Sequence, residues 1–173
     1  MFPGEHFVDA QHGVVITLYS GHVTRQDLVN SMTMLRNCPG FRPNFRQLAN
    51  LTGASKLDLD FTDLYGIRHV YDPFSRQSRR AIVAPQNGAG HGLARMYQAI
   101  VDSEHMEVFV SVLDAISWLG LEVTGLEAAI QRGRTSSRVK VGASTILDLP
   151  PAVPQTFRPI RKKLKNVVGQ RKV

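Results

Sequence analysis

Cysteine is almost missing from this 173-residue chain: Cys38 stands alone, so no intramolecular disulfide can form. A disulfide-stapled scaffold and a thiolate zinc site are both excluded, which points to a reducing, cytoplasmic setting. Nowhere do about 18 apolar residues follow one another, as a membrane-spanning helix would need. The start, Met1-Phe2-Pro3-Gly4-Glu5, has neither a basic region nor an apolar run behind it, so no secretory signal is expected. Tryptophan occurs once, and the chain contains no internal repeat.

Catalytic fingerprints are missing too. The six histidines are dispersed, and His69, His91 and His105 have no Cys or His partner at metal-ligand spacing. No Ser sits in a Gly-x-Ser-x-Gly elbow. Gly88-Ala89-Gly90-His91-Gly92 follows an apolar strand and opens a helix, where backbone amides can cradle an anion. It lacks the third glycine of a dinucleotide fingerprint, which would fall at Leu93, and the Lys-Ser/Thr of a P-loop. Gly90, His91 and Arg95 are the residues that would reach such an anion. Asp58, Asp60 and Asp63 space their carboxylates as a hard cation might want, without the glycine and glutamate of an EF-hand loop. They are read instead as complementing the positive end of the following helix. The expectation is a protein that is not an enzyme and holds no metal or cofactor.

What is present is one core and an uneven charge. A 43% hydrophobic chain of this length supports a single well-buried domain. The net charge of +7 is not spread evenly. From Met1 to Gly125 there are 10 Lys and Arg against 12 Asp and Glu, and from Leu126 to Val173 there are 11 against 2. Residues 1–125 therefore read as the domain and residues 126–173 as a basic, largely flexible tail.

Periodicity places the elements. His6-Phe7-Val8 and Val14 to Tyr19 are the strands of an opening hairpin, closed by Ser20-Gly21. Thr24 and Asp27 form a helix start for Leu28, Met32 and Leu35, and the helix stops near Asn37. Phe45 to Leu51 reads as a strand and Ala54 to Asp60 as a loop. Phe61, Leu64, Ile67 and Val70 or Tyr71 read as the inner face of a second helix that Pro73 ends. Arg80 to Ala84 is a short strand covered on both faces. A third helix from about Gly90 to Ser103 turns Leu93, Met96, Tyr97 and Ile100 to one side, Met106 to Val110 is the last strand, and Ser111 opens a closing helix. The order ββαβαβαβα predicts an α/β fold: a mostly parallel sheet of four or five strands, an N-terminal β-hairpin and helices packed on it. Met32, Met34 and Met96 are expected in the core. The group Arg76, Arg79 and Arg80 is expected to be solvated loop charge, with a contact surface for anions as the other reading. The cations near Cys38 would lower its thiol pKa.

This order resembles the SpoIIAA-like group of STAS-type domains over roughly Val8 to Leu121. The residues that carry the resemblance are Gly13-Val14-Val15, Gly21-x-Val23-Thr24, the run Gln47 to Gly53 with Leu57-Asp58-Leu59, Ala81 to Ala84, Gly92 to Tyr97, and Ala115-Ile116-x-Trp118-Leu119. The resemblance implies a STAS-like regulatory module that binds another protein through the sheet edge and the helix after the third strand, with Leu57, Asp58, Leu59, Asp60 and Asp63 in that surface. Family members that are switched by a kinase carry a serine where this chain has Leu59, after Asp58. Leucine takes no phosphate, so the switch is not carried over; Ser55 and Thr62 lie near, and Thr62 reads as a helix cap. The SEC14-like side of the family implies a lipid carrier, for which a domain this small leaves little cavity beside its own core.

In the tail, Phe157, Ile160, Leu164, Val167 and Val168 recur at helical spacing among Arg158, Arg161, Lys162, Lys163 and Lys165. This basic amphipathic pattern fits a nucleic acid or an anionic membrane surface, bound by charge, or a groove in a protein partner.

Overall fold

The computed structural model describes residues 4–88 and 90–122. The tail and its polyanion-binding candidates lie outside the described residues, as does the boundary expected at Gly125.

Five strands form one sheet in the order β1-β2-β3-β4-β5. The first two, β1 (Gly4–Asp9) and β2 (Val14–Thr24), pair antiparallel as the hairpin, and β3 (Arg46–Asp58), β4 (Arg80–Val83) and β5 (Met106–Phe109) add in parallel. Between the strands from β2 onward run α1 (Arg25–Arg36), α2 (Phe61–Gly66) and α3 (His91–Val101), and α4 (Val112–Trp118) follows β5. The architecture is the mixed α/β fold with an antiparallel opening hairpin that the sequence predicts.

The caps hold as read. Thr24 closes a capping box with Asp27 at the start of α1, which ends at Asn37, and the Ser111 side chain accepts from Asp114 N at the start of α4. Each satisfies backbone donors that a helix start leaves unpaired. A second capping box, Asp60 with Asp63, opens α2. Asp60, not Thr62, is therefore the cap.

The main departure from the sequence reading is the length of the central ribbon. β2 runs past Ser20-Gly21 to Thr24, and the stretch read as a loop from Ala54 belongs to β3 as far as Asp58. The extensions pair with each other, Gly21 with Ala54 and Val23 with Leu57, across two register shifts. Strand pairing between segments 30 residues apart leaves no local signal, while glycine and serine at the irregularity look like an ending. Gly53 permits the approach: a Cβ there would stand 2.9 Å from the Tyr19 carbonyl oxygen.

Alternate strand residues divide two cores. On one face Phe7, Val14, Ile16, Leu48, Ala81 and Val83 meet Ala115, Ile116 and Leu119 of α4. On the other, Tyr19, Val23, Ala49 and Ile82 meet Val29 of α1, Leu64, Ile67 and Ala94, Tyr97, Val101 of α3. All four residues of β4 are buried, as expected for a strand covered on both faces.

The second helix departs from a 3.6-residue face. After Gly66 it widens into a π-helical turn, Ile67–Tyr71, closed by Asp72 N donating to Ile67 O at 2.9 Å. Leu64 and Ile67 are buried as predicted, but Phe61 is 55% and Val70 60% exposed. The extra residue per turn rotates Val70 off the inner face. In α3 the buried residues are Ala94, Tyr97 and Val101, and Met96 is exposed. Met34 is exposed as well, so of the three methionines expected inside only Met32 is buried.

Candidate functional site

Arg80, read from sequence as solvated charge, is 4% exposed at the start of β4. Its position explains this: Arg80 pairs with Gln47 across β3 and β4, and both side chains point to the face that carries α1, α2 and α3. Burying a guanidinium demands compensation, and the chain supplies it from the segment before the strand. Arg80 Nη1 donates to Asp72 Oδ2 at 2.6 Å and Nε to Gln47 Oε1 at 2.9 Å. The same Asp72 oxygen accepts from the Tyr97 hydroxyl at 2.8 Å and from Arg68 Nη1 at 3.3 Å. Asp72 Oδ1 takes the amide of Phe74 at 3.1 Å. The guanidinium lies 4.6 Å from the centre of the Phe74 ring, a cation–π contact. Arg79, by contrast, covers the ring of Trp118 at 4.4 Å on the other side of the sheet.

Two groups of the cluster are shifted away from titration near neutral pH. Burial presses Arg80 toward its neutral form, but Tyr97 and Asp72 outweigh that and its pKa is raised. Burial also raises the pKa of Tyr97, which stays neutral. Two guanidiniums thus face one carboxylate.

Beside this cluster lies a cavity of about 70 Å³ between the sheet and α1, α2 and α3. Its walls are apolar, with Leu28, Leu51, Leu57, Leu59, Leu64 and Leu93 prominent, and Tyr19, Gln47, Arg80 and Tyr97 also border it. The cavity is small, as the sequence reading expects beside the core of so short a domain, and it is bordered by Leu57 because β3 is long enough to carry that residue over the start of α3. Gly90 makes this fit possible: a Cβ there would stand 2.7 Å from Leu57 Cδ1 and 3.1 Å from Leu51 Cδ1.

A separate polar chain crosses the same layer. His6 Nδ1 meets Thr17 Oγ1 at 3.1 Å, His6 Nε2 meets Ser31 Oγ at 2.6 Å, and Ser31 Oγ meets the Tyr19 hydroxyl at 3.1 Å. Burial lowers the His6 pKa to about 4 and raises that of Tyr19, so both are neutral near pH 7.

The residues singled out from sequence fall into three places. Leu57 and Leu59 are half-buried and line the cavity, whereas Asp58 and Asp60 are exposed. Asp58 pairs with Lys56 at 3.5 Å and His22 at 3.6 Å, and Asp63 with Arg25 at 3.2 Å. Among the described residues no group of three such side chains is arranged to hold a metal ion. Gly90 opens α3 without a side-chain cap, His91 Nδ1 bonds Ala84 O at 2.9 Å, and Arg95 points away to Gln98 and Glu107. The structure thus does not gather His91 and Arg95 around one point. Burial raises the Cys38 pKa, against the lowering expected from its cationic neighbours.

On the outer face of α2 and the π-helical turn, Phe61, Tyr65 and His69 form an exposed row. Ring centroids lie 6.1 Å apart for Phe61 and Tyr65 and 4.2 Å for Tyr65 and His69, with Val70 exposed beside them. Sequence spacing put Phe61 on the inside, so this row was missed. Its i, i+4, i+8 spacing was the available signal.

No described helix is long and apolar enough to cross a membrane. No family model matches the chain, and no curated protein matches it. Among solved structures it is similar to an uncharacterized protein of the DUF3478 family from Shewanella loihica PV-4, described as having a SpoIIAA-like fold. Identity is 18%, the alignment covers 67% of this chain and 91% of that one, and the TM-score is 0.44.

Proposed function

We propose that this chain is a non-enzymatic, regulatory STAS-like module of the cytoplasm, which binds another protein through the helix that follows β3. The observation that carries this reading is the exposed row Phe61, Tyr65 and His69 with Val70. Large apolar and aromatic side chains gathered on one solvent-facing ridge are typical of contact surfaces rather than of a solvated helix. Asp58 and Asp60 beside it would meet basic groups at the rim of a partner. Because Leu59 is the residue at the position of the family's phosphorylated serine, contact would be constitutive. Affinity capture with the full chain tests the reading: Tyr65→Ala with Val70→Ser is expected to abolish retention of the partner while leaving thermal stability unchanged. Unaltered retention would count against this surface.

A second reading concerns residues 126–173 and rests on their charge, 11 Lys and Arg against 2 Asp and Glu. Through Arg158, Arg161, Lys162, Lys163 and Lys165 they would attach the protein to nucleic acid or an anionic membrane surface. Binding to DNA, RNA or anionic vesicles should fall steeply with salt and disappear when the chain ends at Gly125. An affinity that ignores salt would argue against it.

A further inference from the structure

We infer that Arg95, Gln98 and Glu107 form a plug that closes the outer edge of β5 and keeps a second copy of this chain from adding its own β5 there. The device depends neither on the ridge of α2 nor on the basic tail.

The first argument is which backbone groups the edge presents. β5 is the last strand of the sheet, so among the described residues one of its sides has no strand beside it. Arg80 N donates to His105 O and Ala84 N to Phe109 O, with Arg80 opposite Met106 and Val83 opposite Phe109. A parallel ladder uses alternate residues of each strand. Glu107 and Phe109 therefore turn their N–H and C=O toward β4, and Met106 and Val108 turn theirs to the open side.

Three of those four outward groups are already taken within the chain. Met106 N donates to Ser103 O at 3.2 Å, Gln98 Nε2 donates to Met106 O at 2.9 Å, and Val108 N donates to Glu107 Oε1 at 3.2 Å. Arg95 Nη1 ties the two side chains together, donating to Gln98 Oε1 at 3.0 Å and to Glu107 Oε1 at 3.3 Å. A strand arriving at this side would have to displace these bonds before making its own.

The path of Glu107 marks the arrangement as a plug. Met106 and Val108 pack on the face that carries α3, and Phe109 on the face that carries α4. By alternation Glu107 leaves the strand on the α4 face. Its carboxylate nevertheless meets Arg95 of α3, which it reaches by folding over the open edge.

The rest of the strand shows what is being held off. Met106–Phe109 contains no lysine or proline, the residues that usually blunt an edge, and just beyond it Val110 is 54% and Leu113 63% exposed. A second copy is the occupant that fits, because two β5 strands related by a two-fold axis would meet antiparallel with Val110 and Leu113 of both copies flanking the seam. Each Glu107 would then have to give up the Val108 amide and would face its counterpart near the axis, like charge toward like charge.

Sedimentation equilibrium of the full chain over a range of concentrations tests this. The parent is expected to keep the mass of one chain, 19.2 kDa, throughout. Gln98→Ala with Glu107→Val should rise to twice that mass as concentration increases, reversibly on dilution. Adding Val108→Pro, which removes an outward N–H and spares the ladder to β4, should return it to one chain. Hydrogen exchange supplies a reading that needs no association: in dilute Glu107→Ala the Val108 amide should exchange at least about tenfold faster than in the parent, with thermal unfolding confirming the fold. A double variant with the parent's mass at every concentration would overturn the plug, as would an unchanged Val108 exchange rate. Association that survives Val108→Pro, or a parent that already doubles in a way Val108→Pro abolishes, would overturn it as well.

Discussion

Arg80 Nη1 lies 2.6 Å from Asp72 Oδ2, and neither side chain is exposed to solvent to any useful extent. The two are eight residues apart, but Pro73 and the loop that follows turn the chain back so that the end of the π-helical turn meets the start of β4. Asp72 thereby fastens α2 and its exposed ridge to the sheet.

Asp72→Asn leaves Arg80 as an uncompensated buried charge, whereas Arg80→Met leaves Asp72 with Arg68 at 3.3 Å. Asp72→Asn is expected to destabilise the protein by about 3–5 kcal/mol, and Arg80→Met by less. The double variant should recover a large part of the Asp72→Asn loss, because the one charge that remains is Arg68, which reaches solvent. Denaturant unfolding of the three variants checks it, and full additivity of the single losses would mean the two residues act separately.

His6 makes stability depend on pH. Its folded pKa, about 4, lies below the ordinary 6.5, so the unfolded chain binds more protons in between. Its contribution is complete above pH 6.5 and is lost as pH falls toward 4, at most about 3 kcal/mol for a group so buried. His6→Asn should flatten the stability profile between pH 7 and 4 relative to the parent. A parallel profile would show that His6 does not titrate in that window.

Asp60 caps α2 through Asp63 N at 2.9 Å. Asp60→Ala should cost about 1 kcal/mol of stability, whereas Thr62→Ala should fall within about 0.5 kcal/mol of neutral. The comparison by thermal unfolding decides which residue starts the helix.

Two glycines are close-packed against different kinds of neighbour. A Cβ at Gly53 meets backbone, the Tyr19 carbonyl, but at Gly90 it meets the ends of Leu57 and Leu51. Gly53→Ala should therefore cost about 1–3 kcal/mol. Gly90→Ala should cost less, since the leucines can swing, and adding Leu57→Ala should relieve it. Unfolding free energies of the three variants give the order.

What the sequence by itself determined is what local chemistry dictates. Thr24 with Asp27, Ser111 with Asp114, the apolar Ala81-Ile82-Val83 and the breaks at Pro39-Gly40 and Pro73 each carry their structural meaning within a few residues, and together they set the element order and the α/β class. What only the tertiary structure decided depends on partners remote in the chain. Leu57 became strand because Val23 pairs with it, and Val70 turned outward because of one extra residue in a helical turn. Arg80 became a buried group because Gln47, Asp72 and Tyr97 converge on it and satisfy a charge that, judged from its neighbours Arg76 and Arg79, belonged in water. Burial of a polar side chain is set by the sum of contacts from several elements, and no window of sequence contains that sum.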